Sequence, residues 1–141
     1  MTYLADVNIW LAFILGHHVH HAATFRWFVE SSQNEIAFCR VTQMGVLRLL
    51  TNQHVMIENP LKPVDAWRTF DALMSMEKVL FVHEPRGLEA EWRKSAEYHS
   101  AGPNWGTDAY LAAFATAAGM TLATFDKALA KRRGVPALLL G

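Results

Sequence analysis

Residues 106–126 read GTDAYLAAFATAAGMTLATFD, and this stretch decides the fold. It spells a helix start, an alanine-rich helix, a glycine stop, a short strand and an acid at the strand's end. Thr107 is expected to cap the helix, with Asp108 in its first turn. Gly119 closes it, because a left-handed residue costs glycine no steric strain. Residues 120–125 form a brief apolar strand. Asp126 stands where the chain leaves the sheet, and Lys127 begins another helix. In open α/β sheets ligands gather at the carboxyl ends of the strands. A carboxylate in that position is a site candidate on topology alone.

Outward from this stretch the same alternation continues. Residues 2–5 read as a strand ending on Asp6. Residues 7–15 read as a short helix stopped at Gly16. A longer amphipathic helix over 18–32 sets Ala22, Phe25, Phe28 and Val29 on its apolar face. A strand over 35–39 is followed by a helix over 42–51 that offers Met44, Val46, Leu47 and Leu50 to the core. Asn59-Pro60 and Pro63 mark a loop over 52–63. Then come a helix over 64–74, a strand over 79–82, and a helix opened by Pro85-Arg86-Gly87 that runs to about His99. A loop covers 100–106. After Asp126 a short helix runs to Arg133, and a last apolar strand spans 136–140. The strands are short and continuously apolar, as strands covered on both faces are. The expected fold class is therefore α/β, with a mostly parallel sheet between helix layers.

The chain has 141 residues, which suits one domain, 1–141, with no staple needed. Thirteen basic and thirteen acidic side chains cancel. There is no global positive field to draw in nucleic acid, so any RNA contact must come from local patches. The single cysteine, Cys39, has no partner for an internal disulfide, which fits a reducing compartment, and inert packing in a buried strand is its expected role. Asp6 interrupts the apolar start, no basic region precedes it, and no apolar run approaches the ~20 residues that span a bilayer. The expectation is a soluble, cytoplasmic protein with no membrane association. Trp27, Phe28, Trp67, Phe70, Leu73, Met74 and Met76 exceed what one small core needs. Ordinary packing at helical spacing and a surface reserved for a partner both account for them.

Three aspartates share one topological feature. Asp6 follows the first strand, Asp126 follows the fourth, and Asp108 opens the helix that feeds the fourth. If the sheet is parallel and the 100–106 loop cooperates, all three converge, and like charges that close repel. A divalent cation resolves the repulsion, since carboxylates and waters are the hard oxygen ligands of Mg²⁺ and Mn²⁺. The bland alternatives are a dipole contact for Asp108 and a helix cap for Asp126. His17, His18, His20 and His21 crowd one helix start, with pairs at zinc-ligand spacing. No Cys or acid accompanies them, and solvated polar residues are the expected account. His54, His83 and His99 carry no assignment. No G-x-S-x-G elbow, Walker A loop or G-x-G-x-x-G is present.

The opening LADVNIWLAFI, residues 4–14, resembles the start of PIN domains, where an aspartate is followed two residues later by asparagine or serine. TDAYLAAFATAAGMTLATFD is similar to the C-terminal half of the same motif set, and the spacing of the three aspartates fits. RVTQMGVLRLLTN, residues 40–52, is similar to a segment of one branch of the VapC-type toxins of bacterial toxin–antitoxin pairs. The resemblance implies a three-layer α/β/α PIN-like fold with a central, mostly parallel sheet of four to five strands. It implies a Mg²⁺-dependent endoribonuclease, with Mn²⁺ as a substitute, acting on tRNA or another structured RNA. Asp6 and Asp108 would be metal ligands, and Asp126 a further acid that holds a water or acts as its base. Asn8 would orient Asp6, and Thr124 would line the same pocket. It also implies a cognate VapB-like antitoxin that lays an apolar segment into a groove between helices, and a homodimer.

One departure stands out. Many PIN domains carry a glutamate early in the helix after the second strand, and here Gln43 or Gly45 stands there. Substrate contacts would come from Arg40 and Arg48, which flank this gap, and from Trp105, which either stacks on an unpaired base or packs under its loop. Arg86, Arg93, Lys94, Lys127, Lys131, Arg132 and Arg133 are further basic candidates, although a solvated helix face is the favoured account of the last run. Two other readings remain open. One is a catalytically weak or inactive PIN-like RNA-binding module. The other is a phosphoryl-handling or receiver-type domain, against which Asp6-Val7-Asn8 lacks a second aspartate.

Overall fold

The computed structural model of the chain describes residues 1–30, 33–57, 59–132 and 134–141. Five strands, β1 (Thr2–Ala5), β2 (Glu35–Phe38), β3 (Val79–Phe81), β4 (Thr121–Thr124) and β5 (Ala137–Leu139), form one sheet of order β3-β2-β1-β4-β5. Every adjacent pair is parallel, with Leu4 opposite Ala37 on one side and Leu122 on the other. Seven helices connect them: α1 (Val7–Ile14), α2 (His21–Glu30), α3 (Arg40–Leu50), α4 (Pro63–Met74), α5 (Leu88–Ser95), α6 (Trp105–Ala118) and α7 (Lys127–Ala130), with a 3₁₀ turn at Ala96–Tyr98.

Successive strand residues point to opposite faces, and each face has its own core. Ala5, Ile36, Phe38 and Ala123 meet Trp10, Phe28, Val46 and Phe70 from α1 to α4. Leu4, Ala37 and Leu122 meet Leu88, Tyr110, Phe114 and Leu129 from α5, α6 and α7. This is the expected three-layer α/β/α arrangement with five parallel strands. α6 is buried without a break from Ala109 to Ala115, and its alanines let it lie close to the sheet.

The chain order contains one reversal. From β1 the sheet grows through β2 to β3 in one direction, and β4 then returns to the other side of β1 before β5. The carboxyl ends of β1 and β4 therefore flank a topological switch point, where open α/β sheets form their ligand crevices.

Several local expectations are corrected. α6 starts at Trp105 with Asn104 in the N-cap position, so Thr107 lies inside the first turn rather than capping it, and Trp105 is helical rather than in a loop. α2 starts at His21, because residues 16–20 turn, with the His20 N–H donating to the His18 Nδ1. Its buried face carries Thr24 and Phe28, while Ala22, Phe25 and Val29 are exposed. α3 begins at Arg40, with only Cys39 between it and β2, and Met44 points outward. Of the surplus apolar side chains, Phe28, Phe70 and Leu73 are core, whereas Trp67 and Met76 are exposed. Gly119 closes α6 at φ 69°, as expected. Ser31 and Ser32 of the expected longer helix, and Arg133, lie outside the described residues.

Leu122 is fully buried at the centre of the sheet. Leu122→Ala should cost about 2–5 kcal/mol by lost burial and a residual cavity. Thermal unfolding should register a drop of several degrees without a change of fold by circular dichroism.

Candidate active site

The switch point holds the first two carboxylates. The Asp6 N–H donates to the Ala123 carbonyl at 2.9 Å, extending the β1–β4 pairing by one bond. The Asp6 side chain then turns back on its own helix, where Oδ1 accepts from the Val7 N–H at 2.8 Å and caps α1. Its other oxygen, Oδ2, accepts from the Thr124 hydroxyl at 3.1 Å. The Thr124 Oγ1 in turn accepts the Asp126 N–H at 3.0 Å. One buried hydroxyl at the end of β4 thus fixes the side chain of Asp6 and the backbone of Asp126. Asp126 Oδ1 accepts the Leu129 N–H at 3.0 Å and caps α7. Asp126 is a helix cap and a member of the acidic group at once. The orienting role expected of Asn8 falls to Thr124, because Asn8 is exposed on α1 while Thr124 touches Asp6.

Asp108 completes the group. It sits in the first turn of α6, its N–H bonded to the Asn104 carbonyl. The charges of Asp6 and Asp126 both reach its carboxyl. Burial is the largest cause that lifts Asp108 above its ordinary value; Asp6 and Asp126 lift it further, and Arg132 opposes them. Asp6 is lifted mainly by burial, opposed by the Val7 N–H and the Thr124 hydroxyl and aided by Asp126. Three carboxylates within reach of one another's charge, at least two of them desolvated, form a donor set that a hard divalent cation would relieve.

Among the described residues, no three His, Cys, Asp or Glu side chains already close on a common point at ligand distance. Mg²⁺ asks less of a protein than such a cage: one or two carboxylates, with waters and substrate phosphates completing its shell. The residues present fit such an ion.

The missing acid has a structural cause. A Cβ built on Gly45 would lie 2.6 Å from the Val7 Cγ2, and valine is stiff about χ1. α3 therefore packs against the residue next to Asp6 with no room for a side chain at position 45. Gln43 is buried and spends its amide oxygen on the Arg40 guanidinium at 2.6 Å. Arg40 also lies over the Phe81 ring, 4.7 Å from its centroid, and Phe81 meets His83 edge to face. In place of a fourth carboxylate, the carboxyl end of β2 carries a guanidinium held by Gln43 and Phe81.

The other predicted residues divide. Arg48 lies eight residues further along α3, about 12 Å of helix rise from Arg40, and lines a groove against α4 with Leu47, Thr51, Pro63, Ala66 and Trp67. Trp105 is about half exposed and shares a groove of about 430 Å³ with Glu89, Trp92, Arg93 and Ala96. The Trp92 Nε1–H donates to the Gly106 carbonyl and ties α5 to the turn that carries Asp108. The histidines are not simply solvated: His18 and His20 stack on Phe125, and the His21 Nδ1 lies 2.8 Å from the Ala12 carbonyl.

Both the sequence and the fold have relatives among known proteins. Residues 3–135 match the PIN domain family profile. The chain is 42% identical to Ribonuclease VapC41 of Mycobacterium tuberculosis over 97% of both proteins, and 35% identical to Ribonuclease VapC39 of the same species over 92% of both. The fold is shared with a crystal structure of VapBC2 from Rickettsia felis bound to a promoter DNA fragment, at TM-score 0.71, 14% identity and full coverage of both chains. It is also shared with VapC20 of M. tuberculosis, described as a sarcin-ricin loop cleaving toxin, at TM-score 0.67 and 15% identity over 90% of this chain and 92% of that one.

Two outcomes follow. A raised carboxyl pKa means that the folded state holds more protons than the unfolded state between the two values. The contribution of Asp108 to stability is therefore lost as pH rises from the ordinary carboxylate range through the raised value. In metal-free buffer, Asp108→Asn should melt above wild type, and the gap should widen from pH 4 to pH 7 as measured by calorimetry; adding Mg²⁺ should narrow it. Separately, Gly45→Ala should cost about 1–3 kcal/mol through overpacking. The double variant Gly45→Ala/Val7→Ala should lose less than the sum of the two single changes.

Proposed function

The chain belongs to the PIN-domain family, and on that premise we propose that it is a Mg²⁺-dependent endoribonuclease toxin held in check by a VapB-like antitoxin. The observation that carries this reading is the Asp6–Thr124–Asp126 arrangement at the switch point, with Asp108 close enough for mutual charge repulsion. Its identity to proteins named ribonuclease over nearly the whole chain supports the activity.

Asp6 and Asp108 would hold the ion. When bound there, Mg²⁺ or Mn²⁺ supplies an activated water and offsets charge on the phosphate oxygens. Thr124 keeps one oxygen of Asp6 in place by donating to it, which fixes the direction of the other lone pairs. Asp126 has spent Oδ1 on α7, and its Oδ2 is the atom placed to orient a water or take its proton. Arg40, braced by Gln43 and Phe81, grips a backbone phosphate at the carboxyl end of β2. Trp105, one helical turn before Asp108, stacks an unpaired base of a structured RNA. The groove between α3 and α4, walled by Leu47 and Trp67, suits the apolar segment of an antitoxin laid between helices. A homodimer belongs to the same reading.

A second reading, an RNA-binding module that cleaves weakly or not at all, draws on the absence of an acid at Gln43 and Gly45. Incubation with RNA and Mg²⁺ separates the two. Wild type should cut, and chelator should stop it. Asp6→Asn and Asp108→Asn should each lose roughly two to three orders of magnitude, the several kcal/mol that a correctly held ion supplies. Cleavage that survives in both variants removes the nuclease assignment to this site, whereas RNA bound but never cut by wild type favours the second reading.

A further inference from the structure

The groove between α5 and the start of α6 is open to solvent, and Trp105, which lines it, is 46% exposed. This groove and the carboxylate site share one turn of helix. Trp105 and Asp108 are three residues apart on α6, and side chains at that spacing are neighbours, about 5–6 Å apart at Cβ. The second indole of the groove is fixed. Trp92 donates its Nε1–H to the Gly106 carbonyl at 3.0 Å and meets the Tyr110 ring edge to face. Ala96, the other apolar residue lining the groove, adds no more than a methyl group. An open, half-exposed tryptophan beside a braced one is a surface on which an unpaired base stacks.

The remaining lining residues carry both a donor fork and an acceptor. Arg93 Nε donates to Glu89 Oε2 at 3.1 Å, one turn apart on α5. An exposed pair of this kind adds little to stability, but it holds a guanidinium and a carboxylate side by side on the groove. Among the described residues neither the Arg93 Nη groups nor Glu89 Oε1 enters another hydrogen bond or ion pair, so both members keep bonding capacity. Of the four RNA bases, guanine alone offers two adjacent N–H donors, at N1 and N2, with the acceptor O6 beside them. A carboxylate accepts from the two donors, and a guanidinium donates to O6 and N7. Adenine and cytosine set a ring acceptor against the carboxylate, and uracil sets a single donor between two carbonyl oxygens. We propose that Trp92, Trp105, Glu89 and Arg93 form a pocket for one unpaired guanine of the RNA, beside the Asp108 carboxylate. The pocket rests on the nuclease reading and adds to it the base that the site selects.

The test is equilibrium binding, in metal-free buffer, of a short fluorescent oligouridine with one central guanosine, against the same strand with adenosine, cytidine or uridine there. Wild type should hold the guanosine strand about tenfold or more tighter than the other three, the discrimination that one bidentate base contact supplies. Glu89→Gln replaces an acceptor pair with one acceptor and one donor, and should bring that ratio down toward one. Arg93→Gln should lower it as well. The ratio is read rather than the affinity, because either change of charge shifts the affinity for every strand alike. Trp105→Ala should weaken the guanosine strand roughly tenfold through lost stacking. If Trp105→Ala does not fold, as judged by circular dichroism, the two exposed α5 variants carry the test. Equal affinity of wild type for all four strands overturns the pocket, as does a guanosine preference that survives in both Glu89→Gln and Arg93→Gln. Failure of wild type to bind any strand overturns it too. Guanosine monophosphate that binds as tightly as the guanosine strand assigns the groove to a free nucleotide and overturns the RNA assignment. Cleavage in Mg²⁺ is scored apart from binding: cutting with no guanosine preference sinks the pocket alone, and a preference without cutting sinks the nuclease alone.

Discussion

The bond between the Asp6 N–H and the Ala123 carbonyl sets everything else at the site. It carries the β1–β4 ladder one residue past the end of β1, so the first residue to leave the sheet is held at the switch point. Parallel strands are spaced about 4.8 Å apart, and β1 and β4 are neighbours. Residues one or two positions beyond their ends are therefore brought side by side whatever their chemistry. In this chain those positions hold Asp6 and Asp126. Thr124, fully buried between them, converts proximity into fixed orientation by donating to one and accepting from the other.

The consequence is a site built against its own stability. Burial and mutual repulsion act in the same direction on Asp6 and Asp108, and the hydrogen bonds to Asp6 offset them only in part. Natural folds keep such arrangements where the strain serves chemistry. The stabilising capital lies elsewhere: in the unbroken burial of α6 and in two separate cores, one on each face of the sheet. The absent fourth acid belongs to the same economy of space. α3 approaches α1 so closely at Gly45 that a side chain there would displace Val7, whose backbone N–H is the donor that Asp6 accepts in capping α1. Restoring a carboxylate at position 45 would disturb the one already in place.

The sequence made the architecture legible because its signals were backbone signals. Short apolar runs, glycine stops and proline turns report directly on strand and helix ends. The alternation of these runs named the fold class before any site was considered. Asp6, Asp108 and Asp126 were legible as a set because each adjoins an element end. Their capping roles were readable only for Asp126, although the aspartate before the apolar helix at Val7 carries the same N-cap signal. What the chain did not announce were contacts made across long separations. The pairing of Arg40 with Gln43 lies within one helix, yet the ring under Arg40 comes from β3. Trp105 looked like loop, since Gly102-Pro103 precedes it and nothing local reveals that α6 begins at once. The histidine-rich turn read as solvated because its partner, Phe125, lies more than a hundred residues away.

The neutral net charge now has a physical meaning. A protein that engages RNA without a positive field relies on a few cations placed at the site, not on long-range attraction. Two of them are fixed by neighbours rather than by solvent: Arg40 by a buried amide and an aromatic ring, Arg132 by a backbone carbonyl. Arg40 opens the helix that follows β2, and Arg132 lies just after α7, the helix that follows β4. A guanidinium held in place loses little freedom on meeting a phosphate. Cations held in this way favour selectivity over rapid electrostatic capture, because only a group that meets the fixed guanidinium in its own geometry gains from it.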